Sequence, residues 1–138
     1  AITPLGAREA GAVLAARVVR HHDDGLSELD AGGAALWLPR VDRAEGAELR
    51  VRIAAHDVIV ARGRPEGLSA LNVLPGVVQA VREGAGPGAI VAVDTKAGRV
   101  LARITRRAAA ELALAPGAEV HVVVKAVSVA QADVGAAG

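Results

Sequence analysis

The sequence predicts an all-β fold built as two tandem five-stranded barrels, with one short helix in the second unit. Two observations carry the β class and a third carries the duplication. The 138-residue chain is 52% hydrophobic yet holds no Phe, Tyr, Met or Cys and a single Trp, so its core falls to Val, Leu, Ile and Ala. Branched aliphatics with 16 Gly favour short strands and tight turns. Apolar and polar residues alternate along several of these runs, as on a sheet with one buried face. The third observation is an internal match between the halves.

Residues 1–10, with Pro4, Gly6, Arg8 and Glu9, read as a lead-in with at most a helical turn. The run Val13-Leu14-Ala15-Ala16-Arg17-Val18-Val19 sets a first strand over 12–21, and His22-Asp23-Asp24-Gly25 its turn. A second strand over 26–30 ends at Gly32-Gly33, a pair suited to the positive backbone angles of a hairpin. A third over 34–38 is stopped by Pro39, and 40–46 is a polar loop. Leu49, Val51 and Ile53 alternate with Arg50 and Arg52 in a fourth, and 57–62 makes a fifth. Strands follow over 73–82, 89–94 and 99–105, separated by the turns at 83–88 and 96–98. The Ala-rich stretch 106–114 is the one convincing helix, stopped by Pro116-Gly117. Strands over 120–125 and 127–130 close the chain, and 131–138 reads as a loose tail.

The duplication shows as three matched segments: 13–18 with 73–78, 33–36 with 98–101, and 46–49 with 117–120. The offset grows only across turns and the helix, where insertions are tolerated. Arg62-Gly63-Arg64-Pro65-Glu66-Gly67 is the strongest linker signal and divides the chain into units 1–66 and 67–138. A unit of about 65 residues buries too little surface to be comfortable alone, so the halves are expected to pack on each other or on a second chain. Five short strands with a helix before the last pair resemble a small closed barrel of the oligonucleotide- and oligosaccharide-binding (OB) type, which does not itself fix a function.

Composition narrows the classes. With 16 basic and 15 acidic side chains the net charge is +1, so there is no broad field for nucleic acid or an anionic membrane. One Trp cannot build the stacking platforms of single-strand binders. The absence of Cys excludes disulfides and thiolate metal sites and suits a reducing compartment. No long apolar run or signal peptide is visible, which suits a soluble chain not marked for export. The absent initiator Met fits trimmed ends or a fragment of something longer.

Catalysis finds little support. Gly84-Ala85-Gly86-Pro87-Gly88 lacks the Gly-Lys-Ser/Thr ending of a phosphate loop, and no Ser sits in a nucleophile elbow. His21-His22-Asp23-Asp24 reads as a hairpin turn rather than a metal cluster, since neighbours on a strand point to opposite faces. A tetrahedral oxyanion offers only acceptors, so it needs backbone N–H groups, hydroxyls and a cation. Ser69, Asn72, Thr105 and Lys125 supply such groups. In the repeat Ser69 aligns with Glu9 and Lys125 with Ala54, so the second half has gained donors that the first lacks. Spacing alone also fits a turn cap at Ser69 and a solvated strand end at Lys125.

Leu68-Ser69-Ala70-Leu71-Asn72-Val73-Leu74-Pro75-Gly76, Leu101-Ala102-Arg103-Ile104-Thr105, Glu111-Leu112-Ala113-Leu114-Ala115-Pro116-Gly117 and Val122-Val123-Val124-Lys125-Ala126-Val127-Ser128-Val129 together resemble the Mop domain, a molybdate-binding subset of the TOBE class. Arg8-Glu9-Ala10-Gly11-Ala12-Val13-Leu14, His21, Gly25-Leu26 and Leu36-Trp37-Leu38-Pro39-Arg40 resemble the degenerate copy that precedes it in the ATP-binding subunit of molybdate importers. The resemblance implies a cytoplasmic regulatory di-domain at the inner face of the membrane, cut from its ATPase domain and working with a membrane permease. It implies molybdate or tungstate as ligand, no organic cofactor, no resident metal, and no enzymatic activity of its own. It also implies a site between units, in a homodimer formed through the barrels. Carried onto this sequence, Ser69 and Lys125 lead the site, Ala70, Leu71 and Ala126 add backbone, and Asn72 and Thr105 complete the candidates. The family's Arg is Leu71 here, which removes a donor fork unless another Arg fills in. The alternatives are a stand-alone molybdate storage protein and a ligand-free dimerisation barrel.

Overall fold

A computed structural model describes residues 11–130. The lead-in at 1–10 and the tail at 131–138 lie outside the described residues. Ten strands follow in order: β1 (Gly11–His21), β2 (Leu26–Ala31), β3 (Ala34–Pro39), β4 (Glu48–Ala54), β5 (Val58–Ala61), β6 (Asn72–Glu83), β7 (Gly88–Thr95), β8 (Gly98–Thr105), β9 (Glu119–Val124) and β10 (Ser128–Val129). A 3-10 turn at Ala55–Asp57 precedes β5, and the helix α1 (Arg106–Glu111) lies between β8 and β9.

These form two curled five-stranded antiparallel sheets, ordered β10-β4-β1-β2-β3 and β5-β9-β6-β7-β8. Each sheet borrows a strand: β5 leaves the first half to pair with β9, Val58 opposite Val124, and β10 leaves the second to pair with β4, Ser128 opposite Arg52. Residues 62–71 therefore join the repeats in sequence without separating two self-contained sheets. β5 and β6 both run antiparallel to β9, one on each side, so this connection must cross over β9. Val123 is 4% exposed although its neighbours Val122 and Val124 occupy the inward face.

Alternation fills one core. Leu14, Ala16 and Val18 of β1, Leu49, Val51 and Ile53 of β4, Val91 and Val93 of β7, and Val120, Val122 and Val124 of β9 belong to a single buried aliphatic cluster shared by both sheets. The exchanged Val58 and Val60 join it. Stability then comes from area removed from water, with no aromatic anchor.

The duplication extends to backbone detail. β1 bulges between Val18 and Arg20, and β6 at the matching place between Val78 and Ala80. At each bulge a Gly-Ala pair clips the strand. Gly46 N–H donates to Val18 O at 2.8 Å and Val18 N–H to Ala47 O at 2.9 Å; Gly117 N–H and Val78 N–H repeat this with Val78 O and Ala118 O at 2.8 Å each. The middle match shifts by one residue from the sequence alignment. Leu29 opposes Val18 and Val93 opposes Val78, while Leu36 opposes Leu29 and Val100 opposes Val93. Ala34 rather than Gly33 therefore corresponds to Gly98, because a slip of one would turn every side chain to the wrong face.

Gly32 and Gly33, at φ 61° and 96°, make the tight β2–β3 turn. The helix is shorter than the sequence suggests. It ends at Glu111 because Ala113 takes the left-handed conformation at φ 54°, its N–H on Ala110 O and that of Leu114 on Ala109 O.

Candidate oxyanion-binding site

The β6–β9 ladder pairs Asn72 with Val124 as its last step at this end. In the first half the ladder continues one step further, Gly11 opposite Ala54, and these are the repeat counterparts of Leu71 and Lys125. Ser69, Ala70 and Leu71 thus enter β6 beside the point where Lys125 and Ala126 leave β9. Ser69, Leu71, Lys125 and Ala126 are exposed and Ala70 is half-buried. Lys125 N–H is committed to Asp57 O at 2.8 Å, which fixes the backbone from which its ammonium extends. No backbone hydrogen bond engages the N–H of Ala70, Leu71 or Ala126 among the described residues. Ser69, Lys125 and these amides therefore belong to segments that adjoin one end of the second sheet, and hydroxyl, ammonium and amide are the donor types an oxyanion needs.

Two candidates do something else. Asn72 is 5% exposed, and its carboxamide is bonded on both sides to one residue of the other half. Its Oδ1 accepts from Trp37 N–H at 2.7 Å and its Nδ2 donates to Trp37 O at 2.8 Å. Strand β3 is the outer strand of its sheet, so the amide of Asn72 caps its open edge as a neighbouring strand would. Thr105 pairs with Gly88 at the far end of the same sheet, where β6 finishes at Glu83. Its hydroxyl accepts from Ala108 N–H at 3.0 Å and caps α1. Within one chain, therefore, Thr105 does not join Ser69 and Lys125, and the polar-residue-before-an-Ala-run signal marks it as a cap.

The first half carries a polar network that sequence reasoning missed. Ser27 is fully buried; its Oγ lies 2.8 Å from His21 Nδ1 and accepts from Val41 N–H at 3.0 Å. His21 Nε2 lies 2.7 Å from Arg43 O. This network pins residues 40–47 where the second half has its helix. His21 is thus a structural anchor, and no group of three or more potential metal ligands occurs among the described residues.

Duplicated, strand-exchanged antiparallel sheets define an OB-like fold. The model of the TOBE domain family matches residues 68–131. It is 43% identical over 129 residues to the molybdenum import ATP-binding protein ModC of Mesorhizobium japonicum, covering 93% of this chain and 35% of that protein. To ModC of Brucella abortus it is 39% identical over 128 residues, covering 91% and 36%. The chain thus spans about a third of the length of these curated relatives. Among solved structures it resembles the cytoplasmic molybdate-binding protein ModG, in a form with molybdate bound, with a TM-score of 0.73 and 26% identity over 86% of this chain and 96% of that one.

Proposed function

We propose that this chain binds molybdate or tungstate as the cytoplasmic regulatory part of a molybdate importer's ATP-binding subunit, restraining transport when the intracellular oxyanion is plentiful. What supports this reading is that the β6–β9 ladder ends at Asn72 and Val124, so the segments carrying Ser69, Ala70, Leu71, Lys125 and Ala126 adjoin the same end of the second sheet. Lys125 offsets part of the dianion's charge, Ser69 donates its hydroxyl, and the amides complete the shell. ModC and ModG, the proteins it resembles, carry molybdenum import and molybdate binding in their names.

Large apolar side chains are exposed on the same segments and the adjoining edge strand: Leu71 at 58%, Leu68 at 46% and Ile59, opposite Val123, at 59%. A second copy packing there dries the site and strengthens every charged contact in it. The anion then favours one arrangement of paired barrels, and regulation follows if that arrangement opposes transport. The ATPase domain and the membrane permease are the partners in this scheme, which places the chain at the inner face of the membrane. It has no catalytic step of its own.

Titration calorimetry with molybdate, tungstate, sulfate and phosphate tests the binding claim. Molybdate and tungstate should bind and Lys125→Ala should abolish most of the signal; normal binding by Lys125→Ala means the site is elsewhere. A second role, as a stand-alone binding protein, is favoured by one observation: the chain covers 96% of ModG. Light scattering separates the two, since a closed oligomer larger than a dimer supports stand-alone storage. Dimerisation without any oxyanion binding would leave only a pairing barrel.

A further inference from the structure

Leu71 leaves the oxyanion with one cation, Lys125, where a doubly charged ligand calls for a second donor fork. The Asn72–Trp37 clamp shows which part of the first half approaches this loop. Trp37 lies near the end of β3, and Arg40 follows three residues later.

The direction of approach comes from the repeat. In the opposite pairing Leu14 of β1 sits against Gly98 at the start of β8, its Cδ2 2.8 Å from where a Cβ would stand. Leu14 corresponds to Leu74, and Gly98 to Ala34, by the ladders above. Going back along β6 from Leu74 to Asn72 therefore goes forward along β3 from Ala34 to Trp37, and continuing brings Ser69 towards Arg40. A second observation agrees. β8 packs against the 3-10 turn Ala55–Asp57, whose counterparts are residues 126–128, so the repeat matches β3 with the segment that follows Lys125.

Arg40 is exposed and its backbone is fixed, its N–H donating to Gly25 O at 2.9 Å. No hydrogen bond or ion pair of its guanidinium is present among the described residues, so it is uncommitted.

We propose that Arg40, delivered from the first repeat by the Asn72–Trp37 clamp, supplies the guanidinium that position 71 lacks, so that the oxyanion is held by both halves of one chain. This deepens the oxyanion reading and rests on it. The degenerate first half then has a function, to complete the site it no longer duplicates. Arg40 with Lys125 balances a dianion's charge, and a planar fork spans two oxygens of a tetrahedron.

Molybdate titration calorimetry of the full chain, with a thermal melt of each variant, tests this. Arg40→Ala should weaken binding by roughly tenfold or more, as expected for a lost charge-assisted hydrogen bond, with the melt unchanged because Arg40 is exposed. The double variant Arg40→Ala/Leu71→Arg should regain most of the affinity, which a merely structural role for Arg40 would not allow. Asn72→Ala should weaken binding although its carboxamide does not touch the anion. Affinity of Arg40→Ala within about twofold of the parent, while Lys125→Ala loses binding, overturns the role of Arg40 and leaves the site standing. A parent chain that binds no molybdate overturns both.

Discussion

The two repeats have the same ladder, the same bulge and the same Gly-Ala clip, yet they fill the space before their fourth long strand in opposite ways. The second half uses the helix α1, capped by Thr105. The first uses the loop 40–47, tied down by a buried hydroxyl at Ser27, where the second half places the equally buried Val91. Likewise Ala54 stands where the second half has Lys125. What persists in both is the aliphatic alternation that builds the shared core; what diverges is polar and at the ends of strands. Folding therefore constrains the barrel, and the polar strand ends are free to differ between the copies.

Cutting the chain within residues 63–67 is the largest test of how separate these halves are. Each sheet takes its fifth strand from the other half, so the cut pieces should stay together through native purification, and each piece made alone should lose cooperative unfolding. Pieces that part and fold independently would break the comparison. Ser27→Ala should cost about 1–3 kcal/mol by urea unfolding, because Val41 N–H is left buried without its acceptor. In the other half Thr105→Ala should cost about 1 kcal/mol through the lost helix cap, with Thr105→Ser restoring most of it. Smallest, and of opposite sign, Ala113→Gly should raise stability by about 0.5–1 kcal/mol, since glycine adopts the left-handed conformation there without strain. No such gain should be available at Ala44 or Ala47 in the loop of the first half, where φ is not positive.

The strands and the helix were legible because alternation, Gly pairs and an Ala run each have a local cause. The exchange of β5 and β10 was not, since periodicity states which residues form a strand and which face is buried, but not which strand lies alongside. The one-residue slip in the middle of the repeat has the same origin: Gly33 and Gly98 match as letters, and only the hairpin register assigns their faces. At the site, the repeat aligned Ser69 with Glu9 and Lys125 with Ala54, and the resemblance grouped them as ligands. The use of Asn72 was not legible, because its partner is 35 residues away and the bond is to backbone. Thr105 could have been recognised as a cap, standing three residues before Ala108 at the head of an Ala run.

A crystal of the chain soaked with tungstate tests the central claim most directly, because tungsten's anomalous scattering gives both position and count. Density within hydrogen-bonding distance of Ser69 and Lys125 is the predicted result. Tungsten bound only elsewhere, or absent at saturating concentration, would contradict it.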